Sequence, residues 1–279
     1  MPSISTFSFF AEASLPMAAP VLFKLGPVPV TNSMCVGLFV VALLILFAQL
    51  ATRNIQSVPT GLQNFWEWII ESLGGVLESI LGRELMKHTF AFFATIFIFI
   101  LANNLLALIP GVGTVGWGGV DAHGHETLIP FLRGANADVT VTLSMAIAFF
   151  VMWIYWAFKF NGVGGFVHHI FGSKAKLPGV LGLLVALVFF FVGMIEVVSI
   201  LVRPISLTFR LYGNIYGGEA MITTLKHMFG NWASLVLVPV YLFELLVAFV
   251  QSLVFCLLTA VFTALMCKHE EGHGEEPHH

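Results

Sequence analysis

The sequence predicts an all-α, polytopic membrane protein. It has about five membrane-crossing helices, one amphipathic interfacial helix, and a last pair of long, tilted helices folded as a hairpin. Three observations predict this. The chain is 58% hydrophobic and 10% charged, with a mean hydropathy of +0.94, values far from those of soluble domains. Phe, Leu, Ile and Val fill runs of about 18 residues or more, the length a helix needs to cross a bilayer. One further stretch instead sets apolar positions at helical period against an acidic face. A net charge of -3 with dispersed Lys and Arg argues against a nucleic-acid partner. Cys35, Cys256 and Cys267 lie in or beside apolar runs and read as packing residues, not as a disulfide, a metal cluster or a nucleophile. No cofactor or metal is expected.

The elements follow in order. Residues 1–32 mix Pro, Ser and small apolar residues and read as an extramembrane segment. No basic stretch precedes the first apolar run, so the first span, about 33–52, is expected to be retained. Thr60 and Gln63 stand at capping-box spacing before Leu62, Phe65, Trp66, Ile69, Leu73, Val76, Leu77 and Ile80, with Glu67, Glu71 and Glu78 opposite. That pattern predicts an amphipathic helix over about 60–86. Spans at about 89–109 and 137–158 flank a Gly-rich polar loop. A short loop with Lys159, His168, His169, Lys174 and Lys176 follows.

From 179 to 229 there is no polar break, and fifty helical residues would be roughly 75 Å long against a bilayer core of about 30 Å. The segment is therefore either two spans with a buried turn or one steeply tilted helix. The last segment, about 232–267, is also over-long, which suggests a tilted hairpin turning at Gly230-Asn231. With five crossings, seven cations (Arg53, Arg83, Lys87, Lys159, Lys174, Lys176, Lys268) share one side against Lys24, Arg133 and Lys226. This bias makes the first side cytoplasmic, with the single membrane domain spanning 33–267 and a hydrophilic cytoplasmic tail at 268–279.

Charges inside these helices are the functional candidates, because an arginine at the bilayer centre costs about 2.5–3.5 kcal/mol even on a lenient scale. At 100° per residue, Arg203, Ser206, Arg210 and Asn214 fall on one stripe, with Gly213 and Gly217 beside it. Glu196 lies roughly 21 Å from Arg210 along the axis and Glu219 roughly 13 Å the other way, so neither is a simple intrahelical partner. A turn at 230–231 puts Arg210 level with Gln251 and Glu219 nearly level with Glu244. Two carboxyl groups sharing a low-dielectric site cannot readily both ionise, and exchange of a proton between them is relay chemistry. Asp138, Asn103 and Asn104 either line the same water path or pack helices.

The run RPISLTFRLYGNIYGGE, from Arg203 to Glu219, closely resembles the signature of subunit a of F-type ATP synthases. Further matches are NNLLALIPG (103–111), ADVTVTLSMA (137–146), NGVGGF (161–166), and Glu244 with Gln251. The resemblance implies a non-catalytic stator subunit of a bacterial plasma membrane, held by the b-subunit peripheral stalk, whose hairpin embraces a rotating ring of c subunits. It implies that Arg210 faces the ring carboxylate, and that Asn214, Glu219, Glu244, Glu196 and Gln251 line or border two offset aqueous half-channels. The candidate ion-translocation residues are these six with Ser206 and Asp138. Many bacterial relatives carry His at the 244 position and Asn at the 140 position, whereas this chain has Glu244 and Thr140. Proton coupling is expected, with sodium coupling as the alternative.

Two other functional classes fit the sequence less well. His269-Glu270-Glu271-Gly272-His273 matches the H-E-x-x-H pattern of zinc proteases, but it lies in a hydrophilic tail with Gly272 and Gly274, poor material for a rigid helix. A stand-alone secondary transporter would show repeated halves, and none is evident.

Overall fold

The computed structural model describes residues 21–26, 28–109, 112, 116–120, 126–130, 133–171 and 180–267. Six α-helices dominate it: α1 (Asn32–Thr52), α2 (Leu62–Leu81), α3 (Arg83–Ala107), α4 (Val139–Phe171), α5 (Val180–Phe229) and α6 (Ala233–Cys267). Five of them, all but α2, are long and apolar enough to cross a membrane. The all-α, multi-pass architecture therefore stands. The C-terminal tail and its H-E-x-x-H motif lie outside the described residues.

Local chemistry sets the helix boundaries. Thr31 caps α1, its Oγ1 accepting from the Met34 backbone N–H at 3.3 Å. Gly82, at φ 75°, separates the amphipathic α2 from α3, and a side chain there would be strained. Asp138 starts α4, its Oδ1 accepting from the Thr140 N–H at 2.9 Å and its Oδ2 accepting from Thr31 Oγ1 at 3.0 Å.

Two features differ from the sequence expectation. Short antiparallel hairpins, β1 (Val21–Leu25) with β2 (Val28–Thr31) and β3 (Gly116–Val120) with β4 (Glu126–Pro130), form where irregular chain was expected. Strands of four or five residues are too short for periodicity to reveal. Residues 159–171, expected as a loop, are helical. Gly162, at φ 68° and ψ 169°, breaks α4 there and lets a second helical piece run on with His168 and His169. Of the two alternatives for the long segment, the single helix holds, since α5 is one helix of 50 residues rather than two spans. It contains Pro204, which has no N–H to offer the Ile200 carbonyl, yet the helix continues through it. A helix of this length fits a bilayer core of about 30 Å only when steeply tilted.

A 3-10 turn over Gly230–Trp232 joins α5 to α6 as an antiparallel hairpin. The core lies where α3, α4 and α6 meet, around Phe93, Phe97, Ile100, Phe149, Trp153, Trp156, Phe255 and Ala260. Trp153 Nε1 donates to the Phe262 carbonyl at 3.2 Å, and Asn161 Nδ2 donates to the Met266 carbonyl. These bonds fix α4 against α6. Cys256 packs its sulfur 3.6 Å from the Phe93 carbonyl, and all three cysteines are free, in keeping with a packing role.

Candidate functional site

Helix α5 presents two different faces. Leu207, Leu211 and Ile215 recur at four-residue spacing and are buried against the rest of the chain. The stripe with Ser206, Arg210 and Asn214 points outward, and all three residues are exposed. An ideal Cβ at Gly213 or Gly217 would meet no atom within 4 Å, so the described chain leaves this face open at both glycines. Among the described residues Arg210 has no hydrogen-bond or ion-pair partner. It borders a cleft of about 230 Å³ lined also by Ser199, Arg203, Ser206 and Phe262. Arg203, seven residues before Arg210 on the same stripe, lies over the Phe262 ring at 4.5 Å and the Trp153 ring at 5.9 Å. Its cation is held by aromatic faces, without a carboxylate at salt-bridge distance among the described residues.

Two cavities lie on either side of Arg210 along the hairpin. Toward the 230–232 turn, a cavity of about 60 Å³ is lined by Glu219 and Glu244 together with Asn104, Gly218, Thr223 and Tyr241. The two carboxylates thus share a site, as their depth predicted, although no hydrogen bond joins them among the described residues. Glu244 is 6% exposed and lies against the backbone of Gly218, where an added Cβ would fall 2.5 Å from Glu244 Oε2. Toward the other end, a larger opening of about 1080 Å³ is lined by Asn161, Gly165, His168, His169, Glu196 and Arg203. Glu196 and Glu219 are twenty-three residues apart on α5, roughly 35 Å along the axis.

Some predicted neighbours are placed differently. Gln251 does not lie against Arg210. Its Oε1 accepts from Asn214 Nδ2 at 2.7 Å, about one turn nearer the hairpin bend. Helical side chains lean toward the N-terminus of their own helix, and for α6 that end is the bend, so the Gln251 amide reaches past the level of its own backbone. Asp138 lines neither cavity and acts at the foot of α4 as a cap. Asn104 does line the cavity shared by the glutamates. Its Nδ2 donates to Ser252 Oγ and the Ala248 carbonyl, each at 3.2 Å, and its Oδ1 accepts from Asn136 Nδ2 at 2.6 Å.

Sequence reasoning missed Arg133, counted above as a loop charge. It is fully buried, with Nε 3.9 Å from Glu219 Oε2. The only sequence signal was a lone cation six residues before a helix start, since neither periodicity nor spacing relates it to Glu219.

Comparison with known proteins agrees with this architecture. The family described as ATP synthase A chain matches residues 34–264. Among curated relatives, an ATP synthase subunit a of Pelobacter propionicus is 34% identical over 239 residues, covering 86% of this chain and 86% of the relative. One from Pseudomonas fluorescens is 33% identical over 245 residues, covering 84% and 80%, and one from Photobacterium profundum is 31% identical over 239 residues, covering 83% of each. With its matching span, its five membrane-length helices and its charged hairpin, the chain belongs to the ATP synthase A chain family, subunit a of F-type ATP synthases.

Proposed function

We propose that the chain conducts protons between the two sides of a bacterial inner membrane and a ring of c subunits, and so couples proton flow to rotor rotation. In this reading it is the non-catalytic part of the ion path, held in place by the b-subunit peripheral stalk. The C-terminus and the Glu196 cavity face the cytoplasm, and the Glu219–Glu244 cavity faces the opposite side. One observation carries the reading. Two cavities that hold carboxylates, toward opposite ends of the hairpin, are separated by an exposed Arg210, unpartnered among the described residues, on a face that glycines leave free of side-chain bulk.

The chemistry follows from that arrangement. At 4 Å and an effective dielectric of 20, a guanidinium and a carboxylate attract by about 4 kcal/mol, enough to make an arriving ring carboxylate release its proton. A lysine could lose its own charge when buried, whereas a guanidinium does not. The fixed cation also repels ions passing directly from one cavity to the other, so a proton must board the ring, travel with it and leave on the far side. Glu219 and Glu244 deliver the proton on one side of Arg210, and Glu196 borders its exit on the other. Asn214 and Gln251, bonded to each other, hold α5 and α6 at fixed spacing between Arg210 and the glutamates. The buried face of Glu244 and the departure from His at this position favour a proton relay built from carboxyl groups.

Reconstituted vesicles containing the complete synthase test the reading. Arg210→Ala loses both proton-driven ATP synthesis and ATP-driven pumping, while the complex still assembles. Normal coupled synthesis in that variant would refute it.

A further inference from the structure

Arg133 belongs to none of the roles above, yet it is a completely buried cation beside a carboxylate assigned to the ion path. Its placement is rigid. Gly134 follows it, and an ideal Cβ there would fall 2.7 Å from Ala107 Cβ and 3.6 Å from Glu219 Oε1, so only glycine lets the chain pass between α3 and Glu219. The 3-10 turn Ala135–Ala137 comes next, buried throughout. Within it, Asn136 Nδ2 donates to Asn104 Oδ1 at 2.6 Å and to the Ile100 carbonyl at 3.4 Å. Asp138 then caps α4 and accepts from Thr31 Oγ1 at 3.0 Å. The segment is pinned to α3 and to the Thr31 cap of α1 within five residues of Arg133, and Gly134 lets the backbone pass close enough to bring the guanidinium to Glu219.

We propose that Arg133 is a positioning residue of the Glu219–Glu244 cavity: its guanidinium holds the Glu219 carboxylate in place and sets the range of pH over which that cavity loads protons. This rests on the reading of Glu219 as part of the proton path. The physical basis is that a buried carboxylate left without its cation is strongly disfavoured as an anion. A guanidinium stays charged at every working pH, which makes it a constant bias rather than a second titrating group. Among the described residues, the other titratable groups that line this cavity are Glu244 and Tyr241 on α6, and Tyr212 on α5 interacts electrostatically with Glu219 and with Asp138 at the start of α4. None of these four is a cation. Arg133 therefore opposes the carboxyl and phenol groups around it, and removing it leaves Glu219 holding its proton to higher pH.

The test is ATP synthesis by the reconstituted synthase as pH is varied on the side of this cavity, with the opposite pH and the total driving force held constant. Arg133→Gln moves the half-maximal point to higher pH by about one unit or more, a tenfold change in proton affinity. Arg133→Lys returns most of that shift. An Arg133→Gln profile superimposed on the wild type would overturn the inference. Glu219→Gln separates this from the underlying reading. If Glu219→Gln itself retains the wild-type rate and profile, Glu219 is not in the path. A slowed Glu219→Gln beside an unmoved Arg133→Gln profile removes only the role of Arg133. Should Arg133→Gln fail to assemble, the double variant with Glu219→Gln is read instead. Assembly restored to the level of Glu219→Gln alone supports the pairing, and failure to restore it overturns the pairing.

Discussion

Gly218→Ala perturbs the shared cavity by one methyl group and separates function from stability. The added Cβ would fall 2.5 Å from Oε2, 2.6 Å from Cδ and 2.6 Å from Oε1 of Glu244. Ordinary non-bonded contact begins at about 3.5 Å, so the carboxyl group must retreat by about 1 Å. Because the crowded atoms are the far end of a flexible side chain, the structural cost is small, about 0.5–1.5 kcal/mol for an off-rotamer glutamate. Alanine in place of glycine in a helix interior returns about 1 kcal/mol, so stability stays near that of the wild type. If Glu244 transfers protons as proposed, function does not, because displacing such a group by about 1 Å can cost up to a hundredfold in rate. The assay is proton-driven ATP synthesis in vesicles, normalised to assembled complex, beside thermal unfolding in detergent. We expect an unchanged Tm with synthesis reduced about tenfold or more, and partial recovery when Glu244→Asp shortens the crowded side chain. A wild-type rate for Gly218→Ala would refute the claim that the position of Glu244 against the α5 backbone matters to transport.

Two further substitutions probe other contacts. Gly134→Ala puts a methyl 2.7 Å from Ala107 Cβ, which cannot rotate away, so it should cost about 1–3 kcal/mol and lower the Tm by several degrees in thermal unfolding. Arg203→Ala loses its aromatic contacts with Phe262 and Trp153, worth about 0.5–2 kcal/mol. It should lower thermal stability while proton-driven synthesis per assembled complex stays close to wild type, in contrast to Arg210→Ala.

What the sequence made legible followed from solvent and geometry. A bilayer leaves few options to a chain with long apolar runs, so the spans could be read from composition, and the 230–232 bend from Gly230-Asn231 between two over-long helices. Helical period was enough to place Arg210 on an outward stripe and to bring Glu219 and Glu244 to one cavity. It could not predict how side chains lean, which is why Gln251 meets Asn214 rather than Arg210. It also had no means to find Arg133, because the contact with Glu219 depends on a loop path admitted by Gly134 and not on any repeating pattern. Asp138 was ambiguous for a related reason. A buried carboxylate before a helix reads alike as an ion ligand and as a cap until its hydrogen bonds are seen.

That the two cavities open to opposite sides of the membrane, with Arg210 between them, is tested most directly by thiol labelling. Thr223→Cys lines one cavity and His168→Cys the other. In vesicles of known orientation carrying the assembled synthase, a membrane-impermeant maleimide should label Thr223→Cys only from the side opposite the cytoplasm and His168→Cys only from the cytoplasmic side, above the background of the native cysteines. Labelling of both positions from the same side would contradict two offset half-channels.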